Sequence, residues 1–473
     1  MKRAGKLISA AMMLAVFAAV FVTGAVGTGA GMSASAAGGT LVVYNWGDYI
    51  DEDIIAAFEQ EYGIDVTYST YDTNEVMLTT IELGSEAVDL ICPSEYAIQR
   101  LMQRGLLQKL DMTRLTNIGN VDYRIYNKVD QVFTGISVPE VGETESMSDY
   151  FVPYMWGTLG ILYNTEVVTD ADLAEGYGLL WNAAGNDALD GRILMKDSVR
   201  DAYVAAVLYL KENDRLPAGY ESLSIEELIN TIDDTLLAAA EEVFTEQKEV
   251  IAGYEVDFGK TDMVNGTAYV DLAWSGDALF AMADSDSLDY FVPKIGGNIW
   301  FDGWAIPKNA ANVDNAYLFL DYLCRPEVAM ANSMFIGYTS ALSADSLRAD
   351  ETAMGILAEN DYTADEFFGD AIRYPDISQA NLGVMKDFGD RNEAAIAMWE
   401  RVKSPDAADL MWILWVVIGV VGAAAIGVGI YFIVRKKGSV RRVSAGSSVA
   451  AAGTGGAADS DDESEDEESD GEA

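Results

Sequence analysis

LVVYNWGDYIDEDIIAAFEQEYGIDVTYSTY, at residues 41–71, contains a strand, a helix and a second strand in succession. Leu41–Tyr44 is a short apolar run typical of a buried strand, and Val66–Tyr71 has the β-branched and aromatic composition of another. Asp51 can cap the helix between them, and Gly63 can end it. The apolar face of this helix consists of Ile54, Ile55, Phe58 and Tyr62. The stretch therefore predicts the first strand–helix–strand unit of an α/β fold.

The alternation continues along the chain. Asn74–Leu83 has the pattern of a second helix, and Val88–Cys92 has that of a third buried strand. Strands that alternate with helices of about ten residues predict parallel pairing. Ligands of such sheets bind beyond the carboxyl ends of the strands. Asn45-Trp46 and Ser94-Glu95-Tyr96 both follow strands, so we expect them on one rim of the sheet.

Four short clusters place a carboxylate beside aromatic rings. They are Asn45–Tyr49, Ser94–Tyr96, Trp274–Asp277 and Trp300–Asp302. This combination suits an organic cation, whose charge pairs with the acid while its carbon chain lies along the rings. The chain contains no histidine, which is the commonest general acid or base and metal ligand. The clusters therefore predict a cation-binding protein and not an enzyme.

The chain is strongly acidic, with 76 Asp and Glu against 30 Lys and Arg and a net charge of −46. Most of the excess lies in residues 38–409, outside the acidic C-terminal tail. Nucleic acid is excluded as a partner because neutralising phosphates needs a basic face. A negative field concentrates cations, although surface acidity alone also reflects solubility.

The two cysteines, Cys92 and Cys324, lie in apolar stretches. We interpret them as small buried hydrophobic residues, with a disulfide between them as the alternative. The sequence has neither the cysteine and histidine spacing of a zinc site nor a glycine-rich phosphate loop. It therefore predicts no cofactor and no metal site.

Residues 1–36 have the pattern of a secretory signal peptide. Lys2, Arg3 and Lys6 precede an apolar run over residues 7–26, and Ala34-Ser35-Ala36 forms an A-x-A cleavage site. An uncleaved N-terminal anchor is the alternative, because the apolar run is long. With either reading, we expect the domain from residue 38 onward outside the cytoplasm.

A second apolar run, residues 410–434, contains no charged side chain. As a helix it would reach roughly 37 Å at about 1.5 Å per residue, which is enough to span a bilayer with some tilt. Arg435, Lys436 and Lys437 follow directly, so the positive-inside rule places residues 435–473 in the cytoplasm. The alternative, a buried core helix, seldom has such a basic flank. The acidic end of the tail is expected to be disordered.

Several longer motifs occur in an informative order. They are Tyr44–Trp46, Tyr68–Tyr71 with Asn74-Glu75, Asp89–Ser94, Leu110-Asp111 with Leu115–Asn117, Pro153–Gly157, Trp300–Asp302 with Ala305–Pro307, and Ile336–Tyr338. In these motifs, across residues 41–403, the chain resembles the spermidine/putrescine-binding proteins of bacterial polyamine ABC importers. Because the motifs are many and collinear, the resemblance is more specific than any single tripeptide.

The resemblance implies a two-lobed, periplasmic-binding-protein-like α/β fold of type II, whose chain crosses twice between the lobes. Lobe one would comprise residues 38–148 and 302–347, and lobe two residues 149–301 and 348–405. The ligand would lie in the cleft between them, and closure of the lobes would create the surface that the permease reads. The transmembrane helix at 410–434 would be an addition to this fold.

The resemblance also implies roles for ten residues that line the cleft. They are Trp46, Tyr49, Ser94, Tyr96, Asp201, Trp274, Asp277, Trp300, Asp302 and Tyr338. Asp302 matches the principal carboxylate for one terminal ammonium, and Asp277 matches the second acid of putrescine-preferring members. Asp201 stands where the family has a glutamate, so its shorter side chain must reach further or act through water.

The match to the family differs at two further places. Ser198 stands where spermidine-preferring members keep an aspartate, and no glutamine of the spermidine type is found near Lys386-Asp387. A third ammonium would lack a partner, so we expect putrescine to bind more tightly than spermidine. Glu95 is expected to point to solvent, whereas Tyr154–Trp156 could either pack between the lobes or contact the ligand.

The resemblance thus implies an extracytoplasmic, monomeric protein that binds putrescine or spermidine and delivers it to the permease subunits of an ABC transporter. A membrane-tethered polyamine sensor is an alternative. A hydrolase that uses two carboxylates across a cleft is a remote one. Neighbouring genes would separate the first two, because an ATPase and two permeases favour import whereas a kinase favours sensing.

Overall fold

The first sheet consists of three parallel strands. β1 (Gly39–Trp46) lies between β2 (Ile64–Tyr71) and β3 (Leu90–Ile91), and both neighbours run parallel to it. β2 and β3 follow helices in the sequence, as the alternating pattern requires. The parallel pairing predicted from residues 41–92 is therefore confirmed.

The computed structural model describes residues 38–84, 87–139 and 141–404, together with isolated positions between 416 and 431. The described residues up to Val402 form one compact unit, and those from Lys403 onward belong to another. The sheets and the pocket described below lie in the first unit.

Helix α1 (Glu52–Tyr62) shows how the local sequence sets the ends of an element. The Asp51 carboxylate caps it by accepting a hydrogen bond from the Asp53 backbone N–H at 3.0 Å. Gly63 ends it with a φ of 66°, in the left-handed region that glycine enters without a steric penalty. The face predicted to be apolar is buried at Ile54, Ile55 and Phe58. Both predicted ends of this helix are confirmed.

The larger sheet is built around one long strand. After the small antiparallel pair β4 (Ile136–Ser137) and β5 (Thr144–Glu145), β6 (Val152–Asn164) is buried along its whole length. The other strands of the larger sheet are β7 (Ile193–Lys196), β8 (Ile251–Glu255), β9 (Val270–Trp274), β10 (Leu288–Phe291), β11 (Gly297–Trp304), β12 (Thr339–Ser340) and β13 (Leu382–Gly383). The main order is β13-β11-β6-β9-β7-β8, with β10 and β12 also on β6. Because β6 has four antiparallel partners, this sheet is mixed.

Helices cover the two sheets. Those after α1 are α2 (Asn74–Leu83), α3 (Glu95–Gln103), α4 (Tyr123–Val132), α5 (Asp170–Ala174), α6 (Val199–Glu212), α7 (Ile225–Asn230), α8 (Asp234–Gln247), α9 (Gly259–Asn265), α10 (Ser275–Asp284), α11 (Val313–Leu323), α12 (Pro326–Ile336), α13 (Ala344–Ala349), α14 (Glu351–Glu359), α15 (Ala364–Gly369) and α16 (Asn392–Lys403). Short 3-10 turns occur at Met112–Arg114, Ile118–Asn120, Met147–Asp149, Gly176–Trp181 and Gly389–Arg391. The helix predicted over Asn74–Leu83 has these same ends.

Strand β11 hydrogen-bonds to both sheets. It pairs with β6 through Trp304, with a register shift between Asp302 and Gly303. From there the chain runs along the end of β3, where Ala305 N donates to the Ile91 carbonyl at 2.8 Å. Asp302 also forms a β-bridge with Ser94. The backbone at Asp302 is therefore held from both sheets. The exact boundaries expected for the two lobes stay a prediction.

Cys92 and Cys324 are buried and free, with exposures of 0% and 2%. The prediction of two small buried hydrophobic residues is confirmed, and the disulfide alternative is wrong. Burial raises the pKa of both thiols, which keeps them protonated and unreactive at neutral pH.

The predicted signal peptide at residues 1–36 and the tail at residues 435–473 lie outside the described residues. Most of the predicted span at residues 410–434 does so too. Within the part of the chain that the structure describes, no helix combines the length and the apolar character needed to cross a bilayer.

A substitution at Gly303 tests how closely β11 approaches the start of β6. A Cβ atom at this position would press against the Phe151 ring and lie 2.8 Å from the Val152 carbonyl oxygen. We expect Gly303→Ala to lower the free energy of unfolding by about 1–3 kcal/mol, the usual cost of overpacking. Chemical denaturation of the purified protein measures the change. Gly355→Ala is the control, because helix α14 has open space there and should gain up to about 1 kcal/mol. Equal stability of the parent and Gly303→Ala would contradict the prediction.

Candidate functional site

One pocket collects side chains from all four aromatic–acid clusters. It lies beyond the carboxyl ends of β1 and β3, against β9, β11 and the first turn of α10. All ten residues predicted for the cleft line it: Trp46, Tyr49, Ser94, Tyr96, Asp201, Trp274, Asp277, Trp300, Asp302 and Tyr338. The expected rim formed by Trp46 and Ser94–Tyr96 is therefore confirmed, whereas the binding roles of these residues stay predictions.

Asp302 is a buried carboxylate that is only partly satisfied. The Tyr49 hydroxyl donates to its Oδ2 at 2.8 Å. Its Oδ1 is buried and has no hydrogen-bond partner among the described residues. Burial raises the pKa of Asp302 to about 7, although the hydroxyls of Ser94 and Tyr49 oppose this rise. An ammonium group in the pocket would satisfy Oδ1 and stabilise the ionised form.

Aromatic rings form a wall beside Asp302. The rings of Tyr49 and Tyr338 meet edge to face with centroids 4.9 Å apart, and those of Trp300 and Tyr338 do so at 5.8 Å. This packing fixes the three rings, all of which line the pocket. Rings in this arrangement can hold both the charge and the methylene groups of an alkylammonium ion.

Asp201 and Trp274 hold each other in place elsewhere in the pocket. Asp201 lies in the first turn of α6, whose N-cap is Ser198. Burial raises the pKa of Asp201, and hydrogen bonds from Ser198 and Trp274 oppose the rise. Ser198 thus has a local role in capping this helix. It adds no charge to the pocket.

A network behind the first rim positions Ser94 and Tyr96. The Asn74 side-chain amide donates to Ser94 Oγ and to Tyr96 Oη, both at 3.0 Å. Tyr96 Oη in turn donates to Glu75 Oε1 at 3.3 Å. Asn74 and Glu75 also line the pocket. The role of this dipeptide was not predicted from the sequence, although its position at the start of α2 was an available signal.

The expectation that Glu95 points to solvent is wrong. Its side chain is 1% exposed and lines the pocket, and its Oε2 accepts a hydrogen bond from Phe301 N at 2.9 Å. Burial raises the pKa of Glu95 to about 8, and the nearby Asp302 adds to the rise. Glu95 begins α3, and that helix packs against β11, so its first side chain turns inward. At neutral pH this carboxyl is mostly protonated.

Tyr154 and Trp156 pack between elements and do not line the pocket. Tyr154 Oη donates to the Tyr49 carbonyl at 2.7 Å and accepts from Asn332 at the same distance. Trp156 Nε1 donates to the Ser340 carbonyl at 3.3 Å. Of the two interpretations that the sequence left open, packing is confirmed.

Asp277, which the resemblance implies as a second acid for the ligand, already contacts two lysines. Its Oδ2 lies 3.5 Å from Lys196 Nζ, and its Oδ1 lies 3.6 Å from Lys260 Nζ. Lys260 Nζ is also 3.2 Å from Asp48 Oδ2. Neither lysine was predicted from the sequence, because neither belongs to an aromatic–acid cluster. Asp48 does belong to such a cluster, and this was the only feature of the sequence that pointed to it.

Lys196 is a buried ammonium beneath this end of the pocket. It is 1% exposed, pairs with Glu255 and donates to the Val256 carbonyl at 2.9 Å. Its Nζ lies 4.5 Å from the centre of the Trp274 ring. Burial alone would lower the pKa of Lys196, but Glu255 and its acidic neighbours raise it overall. This lysine is therefore part of the permanent structure.

The pocket as a whole can bind a cation. Ten acidic side chains and one basic side chain, Lys260, line it. Among the described residues, no group of acidic and cysteine side chains has the arrangement of a metal site. Carboxylates between aromatic faces suit an alkylammonium ion better than a bare metal ion, which needs converging oxygen ligands.

A family model for bacterial extracellular solute-binding proteins matches residues 53–358. The chain is 31% identical to a spermidine/putrescine-binding periplasmic protein of Escherichia coli strain K12, over 68% of this chain and 84% of that protein. It is 30% identical to a putrescine-binding periplasmic protein of Pseudomonas aeruginosa, over 64% of this chain and 78% of that protein.

Solved structures are similar as well. A protein from Listeria monocytogenes is 30% identical with a TM-score of 0.63, covering 77% of this chain and 98% of that one. A spermidine/putrescine transporter substrate-binding protein from Streptococcus pneumoniae is 26% identical with a TM-score of 0.55, covering 77% and 99%. The expected periplasmic-binding-protein-like α/β fold is therefore confirmed.

The unsatisfied Asp302 gives a test that needs no ligand. Its pKa is raised from 3.8 to about 7 by burial, so the folded state holds this proton more tightly than the unfolded chain does. The contribution of Asp302 to the free energy of unfolding should therefore fall as pH rises from about 4 to 7. We expect Asp302→Asn to match the parent near pH 4 and to exceed it at pH 8 by about 1–4 kcal/mol. Urea denaturation at both pH values measures this difference.

Asp65→Asn is the matched control, since Asp65 is exposed on β2. It should leave the pH dependence of the parent unchanged. An Asp302→Asn variant that is no more stable than the parent at pH 8 would contradict the raised pKa.

Proposed function

The chain belongs to the family of bacterial extracellular solute-binding proteins, and we propose that its solute is a polyamine, putrescine or spermidine. In this role it binds the ligand outside the cytoplasm and delivers it to the permease subunits of an ABC importer. The relatives whose names specify putrescine or spermidine support this assignment. They are named as binding proteins, which agrees with a function in transport and not in catalysis.

The observation that carries the proposal is the buried Asp302 carboxylate. One of its oxygens accepts from Tyr49, and the other has no partner among the described residues. A terminal ammonium would satisfy this second oxygen and bind beside the faces of Trp300 and Tyr338. Asp302 then returns to its ionised form because the ligand supplies the missing positive charge.

The composition of the lining favours a polycation over an amino acid. An amino acid carries a carboxylate, which would need a cationic partner, whereas Lys260 is the only basic side chain on the described lining. That lysine already contacts Asp48 and Asp277. A diamine needs carboxylates at both ends and apolar contact between them. Asp302 offers the first carboxylate, and Asp48, Asp201 and Asp277 line the same pocket with the Trp274 ring.

Between the two polyamines we propose that putrescine binds more tightly. Asp277 contacts two lysines, so it leaves little unbalanced negative charge for a further ammonium. Ser198, at the start of α6, is neutral. A third ammonium would therefore be buried with an incomplete set of partners, which is costly. Spermidine carries such a group and putrescine does not.

We further propose that residues 410–434 anchor the protein in the cell membrane, with residues 435–473 in the cytoplasm. The support is the run without charged side chains and the basic residues that follow it from Arg435. A tethered binding protein would stay close to its permease. We also propose that the protein is a monomer whose two lobes close around the polyamine. Lobe one would comprise residues 38–148 and 302–347, and lobe two residues 149–301 and 348–405.

Calorimetric titration tests the polyamine assignment. We expect the protein to bind putrescine and spermidine but not free lysine. Removing one partner of a desolvated charge pair costs about 2–5 kcal/mol, so Asp302→Asn should weaken polyamine binding by roughly 30- to 4,000-fold. Asp65→Asn, which removes the same charge from an exposed strand position, should bind like the parent. Binding of putrescine by Asp302→Asn within threefold of the parent would refute the role of Asp302.

The same titration has a pH signature. Because the empty protein holds a proton on Asp302 with a pKa of about 7, the ligand must displace it at lower pH. Polyamine affinity should therefore weaken by up to about tenfold per pH unit below pH 7.

Titration of both polyamines tests the preference for putrescine. A spermidine affinity tenfold above that for putrescine would overturn the preference and leave the polyamine assignment intact.

Protease treatment of intact cells tests the anchor. The binding domain should be degraded, while a tag placed after Ala473 should survive because it lies in the cytoplasm. A chain truncated before Leu410 should be released in soluble form and still bind polyamine. Loss of the tag in intact cells would contradict the proposed topology.

A further inference from the structure

Lys260 occupies a position that resembles that of a ligand ammonium. It projects from α9 to the pocket lining, where its Nζ lies 3.2 Å from Asp48 Oδ2 and 3.6 Å from Asp277 Oδ1. The Phe280 ring lies 5.7 Å away from Nζ. An ammonium between two carboxylates and an aromatic ring is the arrangement that the other end of the pocket offers to a polyamine.

The residues that hold Lys260 come from different parts of the chain. Asp48 follows β1 and has a φ of 49°, and Asp277 lies in the first turn of α10. Burial alone would lower the pKa of Lys260, but Asp277 and Asp48 raise it overall. The side chain therefore carries its positive charge at neutral pH.

Lys196 differs from Lys260 in its exposure and in its partners. Lys196 is 1% exposed and is held beneath the pocket by Glu255 and the Val256 carbonyl. The Lys260 side chain is 14% exposed and reaches the lining from a flexible four-carbon stem. Lys260 can therefore move away from Asp48 and Asp277 when another cation arrives, whereas Lys196 cannot leave without exposing buried carboxylates.

We propose that Lys260 is an internal counter-cation that competes with the second ammonium of a diamine for Asp48 and Asp277, and so determines how strongly the protein distinguishes diamines from monoamines. This inference rests on the proposed polyamine function and adds a specificity-determining residue to it. When a diamine binds, its second ammonium either displaces Lys260 from both carboxylates or remains without a full partner. Either result reduces the affinity for a diamine relative to that for a monoamine.

Removing the Lys260 charge should open this subsite to the ligand. Lys260→Met keeps a long unbranched side chain but removes the ammonium that contacts Asp48 and leaves Asp277 with Lys196. Putrescine should then bind at least tenfold more tightly than it binds the parent. Butylamine has the same carbon chain and a single ammonium, which pairs with Asp302. Its affinity should change by less than threefold.

Two further variants separate charge from structure. Lys260→Arg keeps the charge and should keep the parent's ratio of putrescine to butylamine affinity. Lys294→Met removes a charge from an exposed residue outside the pocket and should also keep that ratio. Calorimetry on the full-length chain in detergent gives both affinities, and thermal melts confirm that each variant is folded. If Lys260→Met does not fold, Lys260→Gln replaces it in the same comparison.

The outcomes distinguish this inference from the proposed function. An increase of at least tenfold in the ratio for Lys260→Met, with both controls unchanged, supports the inference. An unchanged ratio, or equal weakening of both amines, would show that Lys260 is a structural ion-pair partner and would overturn the inference alone. Absence of amine binding by the parent and by every variant would overturn the proposed function, and this inference with it.

Discussion

The pocket depends on strand β11, because the backbone of this strand hydrogen-bonds to both sheets. The strand pairs with β6 in the large sheet through Trp304, and Asp302 and Ala305 also form bridges with Ser94 and Ile91 at the end of the small sheet. The backbone of Asp302 is thereby held from both sheets, beside Ser94. Its carboxylate is withdrawn from water and still lines the pocket. Tyr49 lies beside Asp302 because β1 ends nearby, and Trp300 lies there because it precedes the bend in β11.

Burial of charge then sets the chemistry of the two ends. A carboxylate withdrawn from water is costly unless a cation or several donors accompany it. Around Asp277 the protein itself supplies Lys196 and Lys260. Around Asp302 the described residues supply hydroxyl groups, and one oxygen stays without a partner. The charge of Asp277 is therefore balanced within the protein, whereas that of Asp302 is not. This asymmetry is the physical basis for binding a cationic ligand.

Much of the candidate site could be predicted from the sequence, because its residues lie at the ends of recognisable elements. Trp46 and Ser94 follow apolar strands, and the carboxyl ends of parallel strands meet at one edge of a sheet. Lys260 and Glu95 could not be placed in this way. Lys260 pairs with Asp48 across more than two hundred residues, and no local pattern encodes such a pair. Glu95 has the composition of an exposed first turn, and only the packing of α3 against β11 turns it inward.

The sequence by itself determined the α/β class, the ends of α1 and α2, the burial of both cysteines and the set of aromatic and acidic residues that could meet a cation. These follow from the periodicity of apolar residues, from capping and from composition, which act over a few neighbouring residues. The tertiary structure alone decided which of those acids are already paired with lysine and which one keeps a buried oxygen without a partner. That outcome depends on distances between side chains far apart in the chain, and on how completely each is removed from water.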